Sequence, residues 1–195
     1  LCGVLKFNTS LESVAVVGCG IDGEGAKALE VALSRNQSLN SIDLSGNKIH
    51  HSSEGVQALT RAVGVNTRLD TITLDGPGSE LSFKELRSTV HLNLSGRRLR
   101  ILSGAVIGAV ASHNATLTDL NLENNELGPG GANAIVLGIS TRPVLRSLNL
   151  SDCGLAGSKS WELLTQRSAR SDGGKSDSGK ELGEEAAALL GAALN

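Results

Sequence analysis

The histidine and cysteine side chains could give this chain metal-binding or nucleophilic chemistry, but they are few and scattered. They are His50, His51, His91, His113, Cys2, Cys19 and Cys153. A zinc site needs several such ligands at short, recognisable spacing, and these residues form no such pattern. The three cysteines are an odd number and match neither a disulfide framework nor a Cys-x-x-Cys motif. Reduced thiols favour a cytoplasmic location.

A nucleotide-binding loop is the second chemistry that the sequence suggests. The run from Gly173 to Ser176 resembles the end of a P-loop. The complete motif requires a glycine where this chain has Ala169, and a strand before it. Neither requirement is met, and no Ser-His-Asp pattern is evident. We therefore predict no catalytic residue, no metal, no cofactor and no small-molecule substrate, and hence that the chain is not an enzyme.

The composition narrows the partner classes. The 195 residues include 39% hydrophobic and only 2% aromatic residues, no methionine, and a net charge of −2. A weakly negative chain gives no electrostatic reason to bind nucleic acid or a membrane surface. No apolar run approaches the length of a membrane-spanning helix. A core made of aliphatic residues suits a regular stack in which the same small slot recurs.

That regular stack is visible as an internal repeat of the form L-x-x-L-x-L-x-x-N-x-L. Copies begin at positions 11, 39, 69, 89, 117 and 145, at steps of 28, 30, 20, 28 and 28 residues. The L-x-L core alternates with period two, which predicts a short strand. A glycine-containing turn and apolar residues at helical spacing follow. Strand, helix and next strand form a right-handed unit with parallel strands, so we expect one continuous parallel sheet.

The segments Leu39–Ile49 and Leu117–Ile135 resemble leucine-rich repeats. The 28-residue period and the Gly-Ala-x-Ala-Leu helix resemble the ribonuclease-inhibitor-like subtype, which also occurs in NOD-like receptors and Ran GTPase-activating proteins. The resemblance implies a single α/β domain over residues 1–195, a solenoid of about six to seven repeats. Because strands stack more closely than helices, we expect a curved horseshoe with the parallel β-sheet on its concave face and helices on its convex face.

Two segments depart from the repeat. The short repeat at 69–88 has Gly76–Ser88 where a full helix should stand, and we expect Phe83 to fill the vacated space. The segment 156–181 is rich in Ser and Gly and is expected to be disordered. It is interpreted either as a flexible insertion or a gene-model error, or as a docking motif around Trp161 or a phosphorylatable loop. Residues 182–195 then supply the helix of the last repeat.

The turn after each strand carries a recurring inward residue. Asn47 and Asn125 occupy this slot, and Cys19 and Cys153 occupy it in other copies. In leucine-rich repeats such side chains bond the backbone of neighbouring turns, so we assign these four residues structural roles. We expect Arg97 and Pro77 to interrupt the ladder.

The outward strand positions are the candidate binding face. They are short, polar and mildly acidic, which favours a protein partner with a basic patch. The predicted partner-binding residues are Asp43, Asp70, Thr73, Asp75, His91, Asn93, Asp119, Asn121, Glu123, Arg146 and Asn149.

The resemblance implies a protein–protein interaction module, a scaffold or sensor segment of a larger signalling protein. The alternatives are a GTPase-activating domain like the Ran activators and a non-functional fragment. Both ends resemble open repeats, so we expect the isolated chain to be marginally stable or to self-associate.

Overall fold

A computed structural model describes residues 2–140 and 144–155. The predicted disordered segment 156–181, Trp161 and the helix expected over 182–195 lie outside the described residues. The helices are α1 Cys2–Leu5, α2 Gly23–Leu33, α3 Ser53–Val65, α4 Phe83–Ser88, α5 Ile101–Ala111 and α6 Gly128–Ser140, with a 3₁₀ turn at Ile49–His51. The strands are β1 Ser13–Ala15, β2 Ser41–Asp43, β3 Thr71–Thr73, β4 Leu81–Ser82, β5 His91–Asn93, β6 Asp119–Asn121 and β7 Ser147–Asn149.

Local sequence explains why these elements form where they do. The central residue of the three-residue strands is aliphatic and faces the core, fully buried at Ile42, Ile72 and Leu120, while its neighbours stay accessible. Helices α2 and α3 begin at polar caps: the Asp22 carboxylate accepts the amide of Gly25, and the Ser52 hydroxyl accepts that of Gly55. Such caps satisfy amides that the first helical turn leaves without partners. Alternating strands and helices make this an α/β repeat fold, as predicted.

The strands form two sheets, so the expectation of one continuous parallel sheet is wrong. In the first sheet β1, β2 and β3 are parallel, and β4 pairs antiparallel with β3. In the second sheet β5, β6 and β7 are parallel. Within the described residues, β3 and β5 do not pair. The sheet is divided at the repeat that the sequence marks as short.

The short repeat divides the sheet because its chain reverses after β3. Gly76 and Gly78 have φ values of 114° and 87° around Pro77, a conformation that glycine adopts without strain. The reversal places β4 against β3, where the next parallel strand would otherwise pair. After β4, the six-residue helix α4 is the only helix before β5. Phe83, at the start of α4, is completely buried and fills the core behind this irregular segment.

The helices form a second layer that is continuous across the break. Helix α3 contacts both α2 and α5, and α5 packs on α6. Glycines allow α5 and α6 to approach closely: a Cβ on Gly104 would lie 2.7 Å from the Cα of Gly131. A Cβ on Gly108 would overlap the carbonyl oxygen of Ala134, and one on Gly138 the carbonyl oxygen of Gly108. Backbone therefore packs against backbone at this interface.

The predicted ladder of turn residues is present at three of its four positions. Asn47 donates to the carbonyls of Val16 and Leu44 at 2.7 and 2.8 Å, and Asn125 makes the equivalent pair of bonds. The buried thiol of Cys153 donates to the carbonyl of Leu122 at 3.0 Å. One bond of each residue, to Val16, Leu94 or Leu122, links its repeat to the turn before it, while the second asparagine bond lies within its own turn.

Cys19 is the exception, and its assignment to the inward ladder is wrong. Its side chain is exposed, and its thiol reaches only the Val17 carbonyl of its own turn, at 3.5 Å. In the described chain no earlier turn lies against it to accept a bond. The interruption of the ladder predicted at Arg97 is only partial. Its backbone amide donates to the Asn125 side chain, and its guanidinium donates to the carbonyl of Glu80. Arg97 thereby links the second sheet to the segment before β4.

The cysteines give a direct test of these environments. Burial raises the pKa of the Cys153 thiol, which lowers its thiolate fraction near neutral pH. In the native protein we expect a thiol reagent such as DTNB to modify Cys19 rapidly and Cys153 only after denaturation. Reaction can be followed by absorbance, with Cys19→Ser and Cys153→Ser variants assigning the phases. Equal native rates for the two thiols would contradict the burial of Cys153.

A second asparagine ladder runs along the helix ends, and sequence reasoning missed it. The side chain of Asn36 donates to the carbonyls of Leu5 and Asn8, and its oxygen accepts the amides of Ser38 and Leu39. Asn66 and Asn114 repeat this geometry and, like Asn36, are at most 2% exposed. Each asparagine bonds carbonyls at the carboxyl end of the helix one repeat earlier, which that helix leaves without partners. The signal was present as Asn-x-x-Leu before the strands.

Arg87 takes the place of an asparagine in this ladder where the repeat is short. Its guanidinium Nη2 donates to the carbonyls of Val63 and Asn66, at 3.1 and 2.7 Å. These two carbonyls correspond to those of Leu33 and Asn36, which Asn66 bonds one repeat earlier. The guanidinium also lies 5.3 Å from the ring centroid of Phe83. One long side chain thus spans the irregular junction.

Candidate binding face

The second sheet brings most of the predicted partner-binding residues together. Parallel pairing aligns His91 with Asp119 and Ser147, and aligns Asn93 with Asn121 and Asn149. Two rows of polar side chains therefore cross β5, β6 and β7 on the side opposite the buried leucines. The rows exist because steps of 28 residues place equivalent positions in register.

Asp119 is the centre of the first row. Its Oδ2 lies 2.7 Å from the Nδ1 of His91, and the hydroxyl of Thr118 also donates to it. The Thr118 hydroxyl and, second, the His91 ring lower the pKa of Asp119, and the positive charge of Arg146 acts in the same direction. Asp119 is consequently a carboxylate near neutral pH, while the His91 side chain remains 75% exposed.

The second row carries another acid. The amide of Asn149 donates to Oε2 of Glu123 at 3.2 Å, and Glu123 is exposed. Arg146 is also exposed, on the segment just before β7. The face of the second sheet therefore displays two carboxylates, at Asp119 and Glu123, whose positions are restrained by neighbouring side chains.

Four predicted residues, Asp43, Asp70, Thr73 and Asp75, lie on or beside the strands of the first sheet. Asp43 on β2 aligns with Thr73 on β3, and both are half-buried. Asp70 is exposed just before β3, and its carbonyl accepts the amide of Phe83. The structure thus does not bring these residues into the rows of the second sheet, because the two sheets are not paired.

Several of the predicted residues also stabilise the backbone. The side-chain oxygens of Asp43, Asn93, Asn121 and Asn149 each accept the amide two residues further on, at 2.9–3.0 Å. Such local bonds fix the turn after each strand. Asp75 accepts the amide of Arg100, the cap residue of α5, at 2.7 Å. These side chains keep part of their polar surface for a partner but also hold the fold.

The exposed polar face suits recognition of another surface. In the part of the chain that the structure describes, no three His, Cys, Asp or Glu side chains are grouped as a metal site. Likewise, within those residues, no helix has both the length and the apolar character to cross a bilayer. His50 and His51 are exposed in the 3₁₀ turn, and His113 is exposed after α5. What the face offers chemically is hydrogen bonding and negative charge.

Comparison with known proteins agrees with the repeat architecture. The Leucine Rich repeat family matches residues 7–29, 35–59 and 113–136. NACHT, LRR and PYD domains-containing protein 14 of Mus musculus is 28% identical over 167 residues, which cover 85% of this chain and 15% of that relative. The chain therefore spans only a small part of the relative's length. The repeat pattern, its register in the structure and these matches agree: the chain contains leucine-rich repeats, and they resemble those of the ribonuclease-inhibitor-like type.

Proposed function

We propose that this chain is a protein-interaction segment of a larger cytoplasmic scaffold or sensor protein, and that it binds through the outward face of its sheets. The observation that carries the proposal is the pair of aligned polar rows across β5, β6 and β7. Aligned side chains on parallel strands present a repeated pattern that a second protein surface can match. The mouse relative with NACHT, LRR and PYD domains supports placing such repeats inside a longer chain.

The chemistry of the face specifies the partner. Two restrained negative charges lie close together, because Asp119 begins β6 and Glu123 follows its end. Asp43 and Asp70 add negative charge to the first sheet. Complementary charge accelerates association and selects between partners. The partner is therefore a protein with a basic patch. A curved stack with the sheets on its concave side would wrap around such a patch.

Neutralising the acids of the face tests this proposal. With a fluorescein-labelled lysine-rich peptide as probe, we expect the double variant Asp119→Asn, Glu123→Gln to weaken binding several-fold in an anisotropy titration. The matched control is Glu24→Gln, Glu54→Gln, which removes the same charge from the helix side, where both residues bind Lys27. Equal weakening by both double variants would show that only net charge matters and would refute the assigned face.

A further inference from the structure

A groove lies on the opposite side of the molecule, along the outward face of α3. Its volume is about 610 Å³, and residues near the carboxyl ends of α2, α3 and α5 line it. Its apolar surface includes Val31 and Val65, which are 50% and 64% exposed. Gly64 contributes open space, because a Cβ added there would meet nothing within 4 Å. Two exposed valines beside a side-chain-free stretch of helix form a cleft that an apolar side chain can enter.

The border of the groove is mainly basic. Arg35, Arg61 and His113 line it, against one carboxylate, Glu30. Arg61 forms a two-point pair with Glu30, with N–O distances of 2.7 and 2.8 Å. Because that pair is internally neutral, Arg35 leaves the groove with a net positive charge. The sheet face carries the opposite sign.

Helix ends normally carry partial negative charge, which would repel an acidic ligand. Here the terminal carbonyls accept hydrogen bonds from the asparagine ladder. The carbonyl of Leu33 accepts from Asn66, and that of Val63 accepts from Arg87. Part of the negative pole is therefore already satisfied, and the formal charges at the border determine the sign.

We propose that this helix-side groove binds an acidic amphipathic helix of a second protein. Its aliphatic side chains would pack on Val31 and Val65 above Gly64, and its carboxylates would face Arg35. Apolar anchors spaced along one helix face, with charges beside them, are the usual way in which a groove holds a helix. This surface is separate from the sheet face, so each can succeed or fail alone.

The test uses the full chain and a labelled probe peptide with leucines at i, i+4 and i+7 and glutamates between them. We expect saturable binding that weakens as salt is raised, because exposed charges are screened. Gly64→Leu fills the cleft and Arg35→Glu reverses its charge, and each should weaken binding about tenfold. Lys48→Glu, a charge reversal at an exposed residue outside the groove lining, should leave binding unchanged.

Three results would overturn the proposal. The first is no saturable binding of the acidic peptide by the wild-type chain. The second is equal binding of the same peptide with lysines in place of the glutamates. The third is a Lys48→Glu variant that weakens binding as much as Arg35→Glu. Circular dichroism of each variant checks folding, and Arg35→Glu alone decides the outcome if Gly64→Leu is not folded.

Discussion

Replacing Arg87 with alanine is expected to lower the free energy of unfolding by about 2–4 kcal/mol. The substitution leaves the carbonyls of Val63 and Asn66 without the single donor group, Nη2, that serves both, and a charged donor of this kind contributes about 1.5–3 kcal/mol. Loss of the contact with the Phe83 ring adds about 0.5–1 kcal/mol. Urea denaturation followed by circular dichroism measures the change.

Arg68 provides the matched control for this substitution. Its guanidinium also donates to a carbonyl one repeat earlier, that of Gln37 at 3.1 Å, but the side chain is exposed. We expect Arg68→Ala to cost less than about 1 kcal/mol, because water replaces the lost donor. Arg87→Lys should fall between the two. Equal losses for Arg87→Ala and Arg68→Ala would show that Arg87 does not stabilise the irregular junction.

A second large effect is expected at the contact between α5 and α6. Gly108→Ala places a methyl group on the backbone of Ala134, so the helices must separate. Overpacking of this kind costs about 1–3 kcal/mol or more, against a gain of up to about 1 kcal/mol in helix propensity. We expect a net loss of about 2 kcal/mol, measured by urea denaturation.

Gly64→Ala is the opposite case on the same helical layer. The added methyl meets nothing within 4 Å, so only the propensity effect remains. The variant should be neutral or up to about 1 kcal/mol more stable. If Gly108→Ala proved as harmless as Gly64→Ala, the close approach of α5 and α6 would be incorrect.

Much of the fold follows from the sequence because the repeat is a local pattern. The alternation around Ile42 and Leu120 predicts the strands, and the apolar spacing after each turn predicts α2, α3 and α6. The division of the sheet is different. It depends on a chain reversal at Gly76 and Gly78 that turns β4 back against β3, and the short step alone does not specify that direction.

The stabilising contacts were only partly predictable. Asn36, Asn66 and Asn114 share an Asn-x-x-Leu context, so their ladder could have been found from spacing. The role of Arg87 could not, because Arg87 stands two residues before Thr89 and so does not follow the Asn-x-x-Leu spacing. The glycines at 104 and 108 fit a close-packing spacing, yet only the structure shows which helix they face.

The candidate face was predicted as a set of positions, and the structure changes its grouping. Alternation alone places His91, Asn93 and Asp119 outward. It does not show that Asp75 bonds the amide of Arg100, or that the residues of the first sheet are separated from the rest. Those relations depend on packing between repeats, which a single-repeat pattern does not contain.

An NMR titration with the lysine-rich peptide tests the proposed binding face most directly. We predict that the ring resonances of His91 and the side-chain amides of Asn93, Asn121 and Asn149 shift with a common saturation curve. The side-chain amides of Asn36, Asn66 and Asn114, which are buried in the helix-end ladder, should remain unchanged. Saturable shifts confined to α2 and α3, with those of His91 and the strand asparagines unmoved, would contradict the assignment of function to the sheet face.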